Sequence, residues 1–243
     1  MPENLHPNLP QLPLRIKKLP VDARGFPVPW FVEWFHADGV PFESVNLPIR
    51  AGDYPDFRVM DSRKLVLAVK EKRCWVCGDP LGKYFAFVLG PMCAINRISS
   101  EPPSHRDCAE FSGRACPFLT KPKVERREEN MPEGTRGAAG VMLTRNPGVA
   151  LVWVTDSYDL YRTREQRIGG EVKAHSGVLF EIGPAIECLW FAEGRKATRA
   201  EVMASIRSGL PVLRETCKYE DNPEDALRAI DEKYTEALLL VPA

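Results

Sequence analysis

The sequence predicts an α+β fold. Short β-prone apolar runs fill its middle and cap-bounded amphipathic stretches close it. Between residues 62 and 120 lies a compact Cys/His-rich segment, in which 27 residues separate Cys77 from His105. At 243 residues, 44% hydrophobic and 27% charged, the chain can bury a core and is not disordered by composition. Its apolar runs, such as Ala150 to Val154, are far too short to span a membrane. The N-terminus lacks a charged region followed by an apolar stretch, so no secretory leader is expected.

Four regions follow from composition. Residues 1–61 form an aromatic N-terminal segment whose first 29 residues hold seven prolines and are expected to wrap the surface in extended form. Trp30–Phe35 is β-prone. Residues 62–120 are the Cys-rich module. It opens with Asp61 as N-cap of a helix from Ser62 to about Lys72, with Leu65, Val66 and Val69 as its buried stripe. Lys83–Leu89 reads as a strand, followed by a Gly90-Pro91 break and a loop to Arg97. Residues 121–137 are polar and punctuated by Pro and Gly, a connector.

Residues 138–243 carry four strand candidates: Gly140–Thr144, Val149–Thr155, Gly177–Ile182 and Ala185–Phe191. Turns fall at Asn146-Pro147-Gly148 and Gly183-Pro184. Residues 156–167 read as a solvated connection. Thr198 with Glu201 forms a capping box, and Gly209 is the expected C-cap. A short helix from Pro211 to Tyr219 is expected next. Asn222 and Pro223 start the last helix, with Ala226, Leu227, Ile230, Tyr234, Ala237 and Leu238 as its buried face.

The Cys-rich module carries the clearest chemistry. In Cys74-Trp75-Val76-Cys77-Gly78, a Cys-x-x-Cys turn can set two sulfurs on one ion, and Gly78 permits the left-handed backbone that aims amides at sulfur. In Pro102-Pro103-Ser104-His105-Arg106-Asp107-Cys108, Ser104 is the expected N-cap. His105 and Cys108, three apart, then share a helix face. Cys108 lies near the positive end of the helix dipole, which favours its thiolate. Cys74, Cys77, His105 and Cys108 are thus the candidate ligands of one Zn2+. Cys93 stays open as a replacement for His105. Cys116, Cys188 and Cys217 read as small buried hydrophobes. An odd count of seven cysteines, several at ligand spacing, favours a reducing cytoplasm over a disulfide framework.

The order of knuckle, strand-bearing excursion and ligand-bearing helix, over about residues 72–117, resembles the treble-clef zinc fingers. That resemblance implies a structural zinc with four protein ligands. The words Cys-Trp-Val-Cys-Gly and Pro-Pro-x-His-x-x-Cys also resemble a group of proteins from bacteria and their phages, a resemblance that carries no activity. The treble-clef nucleases share the scaffold but need a base histidine in the hairpin. No histidine lies between Cys77 and His105, although Asn96 could pass for their central Asn. A redox Cys-x-x-Cys would open a helix after a strand, whereas this one follows a helix. The deaminase signature and His-Glu-x-x-His are both absent from the sequence.

Net charge is zero but unevenly spread: residues 62–127 hold 13 Lys/Arg against 6 Asp/Glu, an excess of +7. Lys70, Lys72 and Arg73 precede the knuckle, and Arg114, Lys121, Lys123, Arg126 and Arg127 follow the ligand helix. These eight are the candidate phosphate contacts of a DNA- or RNA-binding module. Two alternatives remain. One is a protein-interaction adaptor. The other is an enzyme with a site away from zinc, at Cys93, Asn96 and Arg97 or at His175 with Glu171 and Glu181. Tyr158, Tyr161, Arg162, Arg164 and Arg167 interleave aromatic and basic groups as a stacking patch would, but Asp156, Asp159 and Glu165 favour an ordinary solvated segment.

Overall fold

The computed structural model describes residues 5–121, 131–132, 137–141, 148–168 and 170–243. The chain begins with a proline-rich segment holding one 3-10 turn, Ile16–Lys18. Strands β1 (Val32–Phe35) and β2 (Tyr54–Met60) then pair antiparallel. Pairing starts later than the β-prone run because the Trp30 amide is used elsewhere, donating to the Val76 carbonyl at 2.7 Å.

Helix α1 (Ser62–Glu71) starts at Asp61, whose carboxylate accepts from the Arg63 amide. Its buried face differs from the expected stripe: Val66 is 49% exposed, while Lys64 and Ala68 are buried. The Lys64 ammonium donates to the Val32 carbonyl at 2.8 Å and lies 3.7 Å from Asp61. A hydrogen-bonded cation beside a buried carboxylate can be placed inside, and the helix is turned to do so.

Strand β3 (Phe85–Leu89) leads into helix α2 (Pro91–Asn96), where a loop was expected. Pro91 occupies N1, and Met92, Ala94 and Ile95 are buried, so burial and a pre-set φ favour a short helix over a loop. Strand β4 (Ile98–Ser99) follows, then helix α3 (Arg106–Ala115) and helix α4 (Pro117–Thr120). Helix α3 starts one residue later than expected, with His105 at N-cap. Ser104 is held extended by two backbone bonds to Ala86, at 2.9 and 2.7 Å.

The C-terminal part supplies β5 (Ala150–Thr155), β6 (Tyr158–Thr163), β7 (Gln166–Ile168), β8 (Glu171–Ala174), β9 (Gly177–Ile182), β10 (Glu187–Ala192) and β11 (Arg195–Lys196). Residues 142–144 of the first expected strand, and the Asn146-Pro147 turn, lie outside the described residues. Residues 158–163 are a strand rather than a solvated connection, because β9 offers them a full register of partners. Helix α5 (Arg199–Thr216) runs unbroken through Pro211, and α6 (Pro223–Leu238) closes the chain. The expected end at Gly209 is not taken. Val202, Ile206, Leu210 and Leu213 form one buried stripe that outweighs the roughly 3 kcal/mol cost of an interior proline. Gly209 serves packing instead, since a Cβ there would sit 2.8 Å from the Met92 methyl.

The sheets are a four-stranded one in the order β11-β10-β5-β3, a three-stranded one in the order β4-β9-β6, and the pairs β1-β2 and β7-β8. All neighbours are antiparallel. Strand β5 is buried along its whole length, so both faces of its sheet are covered. One face, with Phe87, Leu151, Trp153 and Trp190, packs with α2, α5, α6 and the β9 residues Phe180 and Ile182. The other, with Ala86, Val152, Val154 and Phe191, packs on α3 through Ala109. This second contact fixes α3, and with it one half of the Cys/His group.

Candidate metal centre

The knuckle forms at the mouth of α1. The Gly78 amide donates to the Cys74 carbonyl at 2.9 Å, and the Cys74 amide to the Asp79 carbonyl at 2.8 Å. Gly78 takes φ +78°. The Cys77 and His105 amides both lie 3.4 Å from the Cys74 sulfur, donors that stabilise a thiolate. Residues Cys74, Cys77, His105 and Cys108 each present one ligand atom, and these four atoms lie within 4.8 Å of one another. Ligands sharing one tetrahedral ion are about 3.5–3.8 Å apart, so the group can hold a metal ion with small adjustment.

The tautomer of His105 is set by its surroundings. Its Nε2 lies 3.0 Å from the Pro80 carbonyl, which can only accept. Nε2 is therefore placed to carry the proton, which leaves Nδ1, 3.4 Å from the Cys77 sulfur, as the atom that could bind an ion. A carbonyl that orients a ligand imidazole through its other nitrogen is the usual support of a metal-bound histidine.

Charge follows the same pattern. Burial opposes ionisation of Cys74, but hydrogen bonds from Cys108, Cys77 and His105 hold its pKa far below that of a free thiol. Cys108 is pushed the other way, by its hydrogen bonds with Cys74 and Cys77 and by burial. Hydrogen bonds to Cys74 and Cys77 push His105 up to about 10. Cys74 and Cys108 are thus driven in opposite directions by sharing one small space, a conflict that a bound divalent ion would relieve. Cys74 and Cys108 are fully buried, whereas Cys77 and His105 are half-buried.

Trp30 packs against the knuckle. A Cβ on Gly78 would sit 2.7 Å from the Trp30 Cγ. Gly78→Ala adds that clash to a positive φ, and is expected to cost about 2 kcal/mol. Thermal unfolding of the metal-loaded protein measures this as a drop of roughly 4–8 °C. An unchanged midpoint would mean that the indole yields freely.

The remaining candidates are placed as follows. Cys93 lies in α2 outside the metal group, its thiol pushed up to about 11 by burial. Asn96 accepts from the Ile98 amide at 2.9 Å. Arg97 pairs with Glu236 on α6, and its guanidinium lies 5.9 Å from the Trp153 ring centroid. All three are engaged in packing. Glu171 pairs with Lys173 at 2.6 Å and Glu181 stands opposite Asp159 on β6, while the His175 backbone bridges to Gly140. Tyr158 is edge-on to Phe85 at 4.9 Å, so it belongs to the core and not to a stacking patch.

The basic residues are unequal. Arg73 pairs with Glu71 at 2.7 Å and donates to the Gly78 carbonyl. Arg114 lies 3.8 Å from Glu110. Lys70 and Lys72 are exposed at the end of α1, and Lys121 is exposed at the edge of a described segment. Lys123, Arg126 and Arg127 lie outside the described residues. Among described residues, no helix is long and apolar enough to cross a membrane.

Sequence reasoning missed how the N-terminal segment meets the metal group. Leu9, Leu12, Ile16 and Leu19 pack with Cys74, Val76, Cys108 and Phe111. No usable periodic signal marked them, because only Ile16–Lys18 of this segment is helical and the rest forms neither a helix nor a strand. Comparison with known proteins finds no family model, no curated protein and no solved structure that matches the chain.

Proposed function

We propose that Cys74, Cys77, His105 and Cys108 hold one zinc ion in a structural role, and that the chain is a binding protein whose partner is nucleic acid. The observation that carries the zinc role is the closed donor set. Four protein ligands, two of them fully buried, leave no position for a reacting water. Three thiolates and an imidazole suit zinc better than the hard cations. The order of knuckle, β3 and α3 supports the treble-clef reading. Seven free cysteines fit a reducing compartment.

Nucleic acid is favoured by the +7 excess of residues 62–127. With Arg73 and Arg114 drawn to local carboxylates, Lys70 and Lys72 on the knuckle side would bear most of the phosphate contact among described residues. Those same ion pairs, with zero net charge, are what support the second reading, a protein-interaction adaptor. Fluorescence anisotropy with labelled single- and double-stranded DNA and RNA separates the two. Each phosphate contact is expected to cost roughly 3.5-fold in affinity over a fourfold rise in salt. Lys70→Ala with Lys72→Ala should weaken binding and flatten the salt slope. No retention of any of these probes at low salt would overturn the nucleic-acid reading and leave zinc untouched.

A further inference from the structure

The segment Leu9–Leu19 crosses both halves of the metal group. Its centre is Ile16, 1% exposed, in the same cluster as the fully buried Cys74 and Cys108. Two ion pairs flank it. Arg15 reaches Asp107, between the helix ligands His105 and Cys108, at 3.1 Å, and Lys18 reaches Asp79, just past the knuckle, at 3.9 Å. Both pairs are solvent-exposed and contribute little, so the apolar side chains do most of the holding.

The upstream end sits less closely. A groove of about 390 Å³ opens between Pro10–Leu14 and the α3 residues Asp107, Glu110 and Phe111, and Leu14 is 78% exposed. In sequence the segment ends more than 50 residues before Cys74. It can therefore lift without breaking the knuckle or α3, a local opening of low cost compared with global unfolding.

We infer that Leu9–Leu19 is a strap that gates the metal centre, with Ile16 as its anchor: exchange of the ion and attack on Cys74 and Cys108 wait on its lifting. This rests on the zinc reading above. The structural ligands then set how tightly the ion is held, and the strap sets how fast it leaves or its sulfurs react.

The test is the rate at which full-length zinc-loaded protein yields its metal to a colorimetric chelator, with alkylation of Cys74 and Cys108 followed by mass spectrometry. Ile16→Ala should release metal at least about tenfold faster than wild type, because truncating a buried Ile weakens the closed state by more than a factor of ten. Equilibrium metal content should stay the same. Leu14→Ala, at an exposed position, should leave the rate unchanged. The pair Arg15→Ala and Lys18→Ala, which removes no core atoms, should give about a twofold acceleration that vanishes at high salt. Equal release from wild type, Ile16→Ala and the double variant overturns the strap. Wild type without metal overturns the zinc reading instead. In that case alkylation of the metal-free thiols still decides the strap, since equal rates in Ile16→Ala and wild type overturn it.

Discussion

Cys108→Ser is expected to abolish metal binding and to take most of the protein's stability with it. A structural zinc contributes on the order of 10–16 kcal/mol in small modules, against a total stability of about 5–15 kcal/mol for a domain. The loss does not stay local. Cys108 stands on α3, and α3 covers one face of the four-stranded sheet through Ala109 and Gly113, a Cβ on which would lie 3.2 Å from the Phe191 ring. In that variant the buried Cys74 and the half-buried Cys77 are left beside each other with no ion to balance them, and α3 loses its tie to the knuckle. Elemental mass spectrometry should find one zinc per wild-type chain and none in Cys108→Ser or Cys74→Ser. Both variants should unfold at least tens of degrees lower, and a strong chelator should bring wild type to the same state. Acid should act in the same sense. Ligating thiolates must be deprotonated, so binding releases protons and affinity falls as pH falls. A carefully reduced, chelator-free preparation with no metal would overturn this account, and Cys74 and Cys77 would then be tested as a redox pair.

Local chemistry was the part of this protein most legible in its sequence. Caps are local, and three of them, Asp61, Thr198 with Glu201, and Asn222, stand where their side chains must satisfy amides within three residues. The α+β class follows from the strand-like runs and helical periodicity, and the structure has that class. Where local signals misled, a tertiary contact decided. Gly209 and Pro211 look like an end and a restart until α2 is placed against Gly209. Val66 looks buried until Lys64 finds Asp61 and the Val32 carbonyl. Strand β6 carries four exposed residues in six and no clean alternation, and only its register with β9 makes it a strand. The four metal-group residues were readable because their spacing is itself a local property. Their cover was not, because Ile16 lies far upstream among prolines.

Trp153→Ala should be the most damaging single truncation in the apolar core. Trp153 lies on β5, the strand buried on both faces, and is 1% exposed. Its indole nitrogen donates to the Gly183 carbonyl at 3.0 Å, just past β9, so one side chain ties the four-stranded sheet to the three-stranded one. Truncating a buried Trp costs about 3–5 kcal/mol, and the midpoint of thermal unfolding should fall by roughly 6–20 °C. Trp153→Phe keeps most of the apolar bulk and should cost less, about 1–3 kcal/mol, chiefly for the unpaired carbonyl. How metal release follows unfolding carries the larger argument. Trp153 pairs with Phe87 on β3, and the neighbouring Ala86 bonds to Ser104, adjacent to His105 of the metal group. That strand belongs at once to the sheet and to the scaffold of the metal group. Loss of tertiary signal and release of metal should therefore coincide in one transition, in wild type and in Trp153→Ala alike, the second merely shifted down. Two separated transitions, with metal retained after the core has melted, would show instead that residues 62–120 fold as a unit of their own and that β3 is a removable part of the sheet.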